Sequence, residues 1–393
     1  MSSSNTTSYE EYTYNLFAYE PNHVLPIVFA FIVGASVVAH VIQNLYLAFH
    51  NEHFSLRSVL TNSQLLFLLE DHLLHVLRWN GGTVGWILRA VASYYQENLG
   101  LYISQIVFIL AGPPIYAAAE YNILGRLMHY LPMHAVFHPG RVFFVFVYVG
   151  VMVESLTGVG AGQLAGGVPG STQYTVGGIL IGITLILQGC VEITFSTIVA
   201  VIHYRAWRAG NLAPNVKRVC IMLYCTSALI LIRCIFRAIE NFTEYLSDCG
   251  PGVYHCGYFA THEWYLYVFE CVPMVIYSYW LNIQHPGRFL PLEHKRYLDL
   301  DGVTERMGPG WIDKRSRWQT FLDPFNCGGR MSEEARFWER PEEWPVCDDG
   351  SFALRTATNR GKKASLASMR EKKNTPTPAK RKDEKASSSL DKV

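Results

Sequence analysis

The chain has 393 residues, of which 50% are apolar and 17% are charged, and its formal net charge is +1. Soluble proteins carry about 25% charged residues, so this composition excludes an ordinary soluble protein and a small disulfide scaffold. The charges are unevenly placed: residues 24–283 hold 11 Lys/Arg and 12 Asp/Glu, whereas residues 284–393 hold 22 and 17. The sequence therefore predicts a lipid-solvated body followed by a polar tail.

Apolar stretches long enough to cross a bilayer recur along the body, since a membrane helix needs roughly 20 mostly apolar residues. We read seven of them, which predicts an all-α, polytopic, seven-helix transmembrane bundle over residues 23–285. The predicted spans are 24–49, 58–79, 99–120, 142–163, 176–203, 219–240 and 264–283. The second is interrupted by charged and histidine residues, and it could extend into 85–95. No Lys or Arg precedes the first span, so we expect it to remain as a helix rather than act as a cleaved signal.

The positions of Lys and Arg predict the orientation of the bundle, because basic loops stay on the cytoplasmic side. With seven spans, the loops 164–175 and 241–263 fall on one side of the membrane and contain no Lys or Arg. The other side holds the basic loops and the basic tail. We therefore predict an extracellular N-terminal segment, residues 1–22, and a cytosolic C-terminus.

Two features of the predicted external side concern covalent modification. Asn5 and Asn241 both fit the Asn-x-Thr pattern of N-glycosylation. Cys249 and Cys256 share the loop 241–263 in an oxidising compartment, where a disulfide would close a Gly/Pro turn. The sequence leaves open whether these two cysteines are bonded and whether the two asparagines are glycosylated.

The polar tail divides into two segments. Residues 286–354 are charged and rich in Trp, which predicts a cytosolic segment that lies along the membrane surface or packs on the helix ends. Residues 355–393 hold 12 Lys/Arg and 4 Asp/Glu among Ser, Thr, Pro and Ala, and such a composition predicts disorder. This basic tail is either a solvated end or a contact for anionic inner-leaflet lipid. No nucleic-acid-binding motif is present, so we expect no nucleic-acid partner.

Ionisable residues inside the spans are the candidate functional residues, because a charge in the bilayer core is costly. In the sixth span, Arg233, Arg237 and Glu240 fall on one helical face. If Glu240 and Glu263 mark the same boundary, Arg233 and Glu270 of the seventh span lie equally deep. Antiparallel packing would then bring Arg233 and Glu270 together. The cluster of Arg233, Arg237, Glu240, Glu263 and Glu270 is either a structural ion pair or a polar site for a lipid headgroup, and both can hold together.

Three further polar residues lie in the fourth and fifth spans: Glu154, Gln188 and Glu192. Each is either a hydrogen-bonded structural group or a ligand contact. Because Glu240 and Glu270 match the arginines of the sixth span, Glu154 and Glu192 are surplus acids. This surplus predicts a preference for cationic or amine-bearing amphiphiles over anionic ones.

Glycine and proline mark two places where helices deviate or approach closely. The glycine-rich run 158–167 lacks the GK[ST] ending of a phosphate-binding loop, so it indicates close helix packing or a helix break. Pro113 and Pro114 each remove a helix hydrogen bond, which predicts a kink in the third span.

Several cofactors are disfavoured by the residues that the spans contain. Asp71, His72 and His75 form a thin metal face without an HxxxH partner in the last span, so we expect no bound metal. The first lysine is Lys217 and the next is Lys295, which leaves no span interior with an amine for a retinal Schiff base. The chain contains no Walker motif, so we expect no ATP hydrolysis by it.

Three linked motifs carry a family resemblance. Residues 233–240 read RxxxRxxE, the next motif reads EWxxYxF and ends on Glu270, and the third is His285-Pro286-Gly287. This arrangement resembles the seven-helix lipid-translocating exporter family of fungi, which includes sphingoid long-chain-base exporters and aminocholesterol-resistance proteins. Upstream, residues 85–89 and 117–126 look like the family motifs GYxxR and AAxxYxxLGR. One departure is Glu270, where Asp is usual.

The resemblance implies a plasma-membrane transporter without catalytic residues or cofactor, whose partners are membrane lipids or amphipathic small molecules. It also implies structural roles for Arg126 and for the motif at 285–287. Gly82, Gly150 and Thr157 stand where the family usually has polar or acidic residues, which leaves the substrate, the direction and the energy coupling open. The alternatives are a lipid-sensing receptor or regulator and, less favoured, an intramembrane enzyme.

Overall fold

In a computed structural model of the protein, the residues described are 17, 19–50, 82–167, 170–246, 262–291, 293–311, 319 and 336–347. Some sequence predictions concern residues outside these ranges: the second span 58–79, the Asp71, His72 and His75 face, Asn5, Cys249, Cys256 and the basic tail 355–393.

Seven helices lie within the described ranges. They are α1 Leu25–His50, α2 over 82–94, α3 Leu99–Tyr130, α4 Pro139–Gly166, α5 Thr172–Arg208, α6 Pro214–Leu246 and α7, a π-helical stretch Leu266–Cys271 continued by the α-helix Val272–Ile283. Six of these, all except α2, are long and apolar enough to cross a membrane. The predicted helical, integral membrane protein is therefore confirmed, whereas the count of seven spans and the orientation remain predictions.

The helices run past the ends that hydropathy predicts. The side chain of Asn98 caps α3 by accepting a hydrogen bond from the Leu101 N–H at 3.2 Å, and α3 then continues through Pro113 and Pro114 as far as Tyr130. Helix α6 passes its predicted end at Glu240 and is helical as far as Leu246. Backbone hydrogen bonding needs no apolar side chain, so a hydropathy rule ends each span too early.

Asn241 consequently lies in α6 rather than in the predicted external loop 241–263. Its Nδ2 donates to the Gly178 carbonyl of α5 at 3.2 Å, and the side chain is half-buried. A Cβ on Gly182 would come within 3.2 Å of the same Nδ2. A glycan on Asn241 would displace this helix contact, so the local structure disfavours modification there.

Helices α4 and α5 approach each other closely at a pair of glycines. A Cβ on Gly160 would lie 3.1 Å from the Gly177 carbonyl oxygen, and a Cβ on Gly177 would lie 2.8 Å from the Gly160 carbonyl oxygen. Side chains larger than hydrogen would push the two backbones apart. Because α4 continues unbroken through this region to Gly166, the glycine-rich run serves close packing rather than a break.

Helix α1 packs alongside α7 through a buried polar ladder. Ser36 Oγ lies 2.5 Å from Ser278 Oγ, and His40 Nδ1 lies 2.8 Å from Asn282 Oδ1. Both partners advance in the same direction along their helices, so α1 and α7 are parallel. The ladder places the residues around His285 at one end of the bundle and those around Glu263 at the other, and we name the two ends by these residues.

The chain after α7 folds back onto the His285 end. The strands β1 Arg296–Leu298 and β2 Glu305–Met307 pair antiparallel. Glu305 is 1% exposed and accepts from Tyr130 Oη of α3 at 2.7 Å and from Arg296 Nε at 2.5 Å. The sequence left open whether the aromatic-rich segment lies along the membrane surface or packs on the helix ends. The described part of the segment packs on the helix ends.

The residues assigned structural roles lie at the same end. His285 is buried, and its Nδ1 accepts from the Gly287 N–H at 3.2 Å in a short 3-10 turn that begins at Pro286. Arg126 Nη2 donates to the carbonyls of Leu290 and Pro291 at 3.1 and 3.0 Å. These contacts fasten α3 to the segment that follows α7.

Candidate functional site

A cluster of four charges lies between α6 and α7. Arg233 Nε and Nη2 lie 2.6 and 2.5 Å from Glu270 Oε1, while Arg237 Nε lies 3.1 Å from Glu270 Oε2. Arg237 Nη1 also contacts Glu240 Oε2 at 2.6 Å. The predicted contact between Arg233 and Glu270 is present, and Arg237 joins it, so one carboxylate holds two guanidinium groups.

The local backbone of α7 positions Glu270. It sits in the π-helical stretch Leu266–Cys271, where the Val272 N–H bonds to the Tyr267 carbonyl five residues earlier. The next residue is Pro273, which has no N–H to continue a regular α-helical ladder. Single π-helical turns rotate the following side chains and are frequent at functional sites. Here Glu270 is 3% exposed and Arg233 is 2% exposed.

A second charged cluster lies at the Glu263 end. Arg89 of α2 is buried, and its Nη2 contacts Glu263 Oε1 at 2.8 Å. The other oxygen, Glu263 Oε2, accepts from the Asn22 backbone N–H at 2.7 Å, and Tyr267 Oη donates to Glu263 Oε1 at 3.0 Å. Glu263, in the turn before α7, is therefore fixed by α2, by the N-terminal segment and by Tyr267 of α7.

Aromatic residues of the N-terminal segment cover the guanidinium of Arg89. Its Cζ lies 5.0 Å from the ring centroid of Phe17 and 5.7 Å from that of Tyr19, and its Nη2 donates to Tyr19 Oη at 2.6 Å. Burial raises the pKa of Tyr19, and the positive charge of Arg89 opposes this rise. The phenol stays neutral near pH 7, so the segment closes the Glu263 end over a buried cation.

Sequence reasoning placed Arg89 in a family motif but missed it as a site residue. The signal was an arginine within an otherwise apolar helix, which implies a buried partner. Its partner Glu263 was predicted as a site residue at the start of the seventh span, but the contact with Arg89 was not predicted. Glu120, the last residue of the predicted third span, was also missed, and it is fully buried in α3.

The remaining predicted site residues line other parts of the interior. Glu192 is 1% exposed and accepts from Tyr121 Oη at 3.3 Å and from Ser227 Oγ at 3.1 Å. Glu154 is half-buried, and its charge interacts with that of Arg233. Gln188 is half-buried in α5. The structure thus associates Glu154 with the α6–α7 cluster and places Glu192 in a separate hydrogen-bonded group.

These clusters contain charged groups with which a polar headgroup can form hydrogen bonds or ion pairs. Each buried arginine holds a carboxylate at hydrogen-bond distance in surroundings of low dielectric, where such contacts are strong. An incoming charged or hydrogen-bonding group could take one side of a pair without leaving the other side bare. That property suits binding and passage of a polar group through an apolar bundle.

The sequence of the chain is similar to one protein-family model and to several named fungal proteins. The sequence model described as RTA1 like protein matches residues 80–293. A protein named lipid-translocating exporter-like protein RTA1, from Leptosphaeria maculans, is 35% identical over 247 residues, which are 58% of this chain and 46% of that protein. A protein of the same name from Ajellomyces capsulatus is 30% identical over 272 residues, 66% of this chain and 82% of that protein.

A third relative carries a different name. Protoporphyrin uptake protein 1 of Saccharomyces cerevisiae is 30% identical over 212 residues, which are 49% of this chain and 61% of that protein. The chain thus spans about half the length of the Leptosphaeria relative and most of the Ajellomyces one. No solved structure matches the chain.

Proposed function

The chain belongs to the RTA1-like protein family, and from this membership we propose that it is a membrane transporter that moves amphipathic lipids or other amphiphiles across the bilayer. Relatives named lipid-translocating exporter-like proteins support a lipid-related cargo. The observation that carries the proposal is the buried ion cluster of Arg233, Arg237 and Glu270 between two apolar helices. A purely structural helix pair could pack apolar side chains instead at no loss of stability.

In the proposed mechanism, the two charged clusters are successive binding sites for the headgroup. A headgroup that leaves the aqueous phase at the Glu263 end first meets the Arg89–Glu263 pair and then the Arg233–Glu270 pair. At each site it replaces water by protein hydrogen bonds, which lowers the cost of entering the apolar interior. The hydrocarbon chain stays in contact with apolar helix faces or lipid. We propose no catalytic step.

We further propose that the seven spans place the N-terminus outside, the C-terminus in the cytosol and the protein in the plasma membrane. The absence of Lys and Arg from residues 164–175 and 241–263 supports this orientation. An epitope tag placed before Met1 should be removed by a protease added outside intact cells, and a tag placed after Val393 should be protected from that protease. Protection of the first tag together with removal of the second would show that the protein has the opposite orientation.

For the cargo we propose long-chain amines, as in sphingoid bases. Glu154 interacts with Arg233 only through the charge of that residue, without a hydrogen bond or ion pair. Glu192 accepts hydrogen bonds from two hydroxyl groups. Among the described residues, neither carboxylate therefore has an arginine at hydrogen-bond distance. Interior acids without arginine contacts attract cations, and the attraction strengthens as water is excluded.

Competition in reconstituted vesicles tests this selectivity. Flux of a labelled long-chain base should fall with excess amine-headed lipid and should hardly change with a fatty acid of equal length. The variant carrying Glu154→Gln and Glu192→Gln should lose this preference, because both acids become neutral at nearly constant volume. Equal inhibition by both competitors, or an unchanged preference in the double variant, would remove the electrostatic basis.

A further inference from the structure

The N-terminal segment covers Arg89 at the place where the proposed mechanism requires access to it. The rings of Phe17 and Tyr19 have their centroids 5.0 and 5.7 Å from the guanidinium carbon. The Phe17 ring also meets the ring of Tyr102 of α3 edge-on, with the centroids 5.1 Å apart. As a result Phe17 is 7% exposed and Arg89 is 4% exposed. A headgroup in the aqueous phase therefore reaches the guanidinium only after these two rings have moved.

The hydroxyl of Tyr19 occupies a hydrogen-bonding position that a headgroup oxygen can take. Arg89 Nη2 carries two hydrogens and has two partners, Glu263 Oε1 at 2.8 Å and Tyr19 Oη at 2.6 Å. The first partner is the counter-charge of the arginine, and the second is a neutral oxygen. An incoming oxygen that replaced Tyr19 would leave the ion pair of Arg89 and Glu263 intact.

The end of the segment next to α1 is held by contacts that do not involve Arg89. Asn22 Oδ1 accepts from the backbone N–H groups of Val24 and Leu25 at 2.8 and 2.9 Å, where α1 begins. The Asn22 N–H donates to Glu263 Oε2 at 2.7 Å. These bonds remain when the contacts of Phe17 and Tyr19 with Arg89 break. Asn22 is therefore a fixed point about which the preceding residues can swing.

The contacts that hold the two rings over Arg89 are of a size that allows exchange. Two contacts between a cation and a ring, together with one hydrogen bond, favour the covered form by roughly tenfold to a few hundredfold. A preference of this size leaves a minor open form in the resting protein, and a ligand that binds only the open form increases its population.

We propose that the rings of Phe17 and Tyr19 form a gate at the Glu263 end, which opens about Asn22 when a headgroup oxygen displaces the Tyr19 hydroxyl from Arg89. The gate regulates access to the first binding site of the proposed transport mechanism, and it rests on that mechanism for the identity of what passes. The structure described above is its closed form.

Modification of Arg89 measures the gate without any transport. Phenylglyoxal reacts with guanidinium groups that it can reach, and mass spectrometry of peptide fragments gives the rate at each arginine. In the natural protein Arg89 should react much more slowly than Arg208, which is exposed at the end of α5. Tyr19→Ala should speed the reaction of Arg89 about tenfold, because a ring contact and a hydrogen bond are lost. Tyr19→Phe keeps the ring and should speed it only about threefold.

Tyr95→Ala is the matched control for these variants. Tyr95 directly follows α2, the helix that carries Arg89, and is 65% exposed. Its loss removes a tyrosine near the same helix and should leave the rate at Arg89 unchanged. The rate at Arg208 serves as the internal reference in every variant.

A reversible bridge tests whether opening is required for transport. Phe17→Cys and Tyr102→Cys place thiols at two positions whose rings are neighbours, where a short bis-methanethiosulfonate can join them and a reducing agent can separate them. With the bridge intact, flux of a labelled long-chain base should fall to that of empty vesicles, and reduction should restore it. The two single variants, treated in the same way, account for reaction at the nine natural cysteines.

The outcomes separate the gate from the transport proposal. Faster modification of Arg89 in Tyr19→Ala, with no flux from the natural protein, would support the closed form and contradict transport. Equal flux with the bridge intact and reduced would overturn the gate and leave transport standing. Equal rates at Arg89 in the natural protein and in Tyr19→Ala would overturn the gate as well, because the rings would then not control access.

Discussion

Arg233→Ala is expected to lower the stability of the folded protein by about 3 kcal/mol. The change leaves the buried Glu270 carboxylate without its two shortest contacts, at 2.6 and 2.5 Å. Removing one partner of a buried ion pair costs about 3–5 kcal/mol, against a total stability of about 5–15 kcal/mol for a folded domain. We place the loss near the lower end, because Arg237 Nε still contacts Glu270 at 3.1 Å. Thermal unfolding and the monodisperse fraction after detergent extraction measure it.

Arg237→Ala is the matched control. The Arg237 side chain is 18% exposed, against 2% for Arg233, and it makes one longer contact to Glu270. Its loss should therefore cost clearly less stability. The exchange Arg233→Glu with Glu270→Arg should rescue the fold only in part, because the new guanidinium at position 270 would face Arg237. Equal losses in the two alanine variants, or full rescue by the exchange, would contradict this geometry.

Arg89→Ala is expected to loosen the part of the N-terminal segment that carries Phe17 and Tyr19, while Asn22 and most of the fold stay in place. Glu263 retains the Asn22 N–H and the Tyr267 hydroxyl as donors, so its carboxylate is not left bare. Phe17 and Tyr19 lose the cation that lies beside their rings, and Tyr19 loses one hydrogen bond. Chymotrypsin, which cuts after aromatic residues, should cleave the segment about tenfold faster, as expected for losing roughly 1–2 kcal/mol.

Arg89→Lys separates the effect of the planar guanidinium group from the effect of the positive charge. A lysine can keep an ion pair with Glu263, but it has no planar guanidinium to place against the rings of Phe17 and Tyr19. Cleavage of the segment should therefore increase while thermal stability stays closer to that of the natural protein. An unchanged cleavage rate in a folded Arg89→Ala variant would show that the segment is held by other contacts.

The sequence predicted the contact between Arg233 and Glu270 because both depths could be counted from acidic residues at the same helix end. Local periodicity was sufficient there, since the two helices are neighbours along the chain. The Arg89–Glu263 pair could not be counted in this way. It joins α2 to α7, which are far apart in sequence, and the unclear register of the second span hid the depth of Arg89.

Packing details were the least predictable part of the site. The glycines at 158–167 allowed either a helix break or close packing, and only the approach of Gly160 to Gly177 decides between them. The neighbours of a helix face cannot be read from hydropathy or motif spacing.

Transbilayer movement in protein-containing vesicles tests the transport claim most directly. A fluorescent long-chain base is placed in both leaflets, and a membrane-impermeant reductant bleaches the outer leaflet. With the natural protein, the inner-leaflet pool should also be bleached over time, without ATP, and excess dodecylamine should slow this. Vesicles without protein should keep their inner-leaflet pool over the same time. Retention of the inner-leaflet pool with the natural protein, at the level of empty vesicles, would contradict the proposed transport.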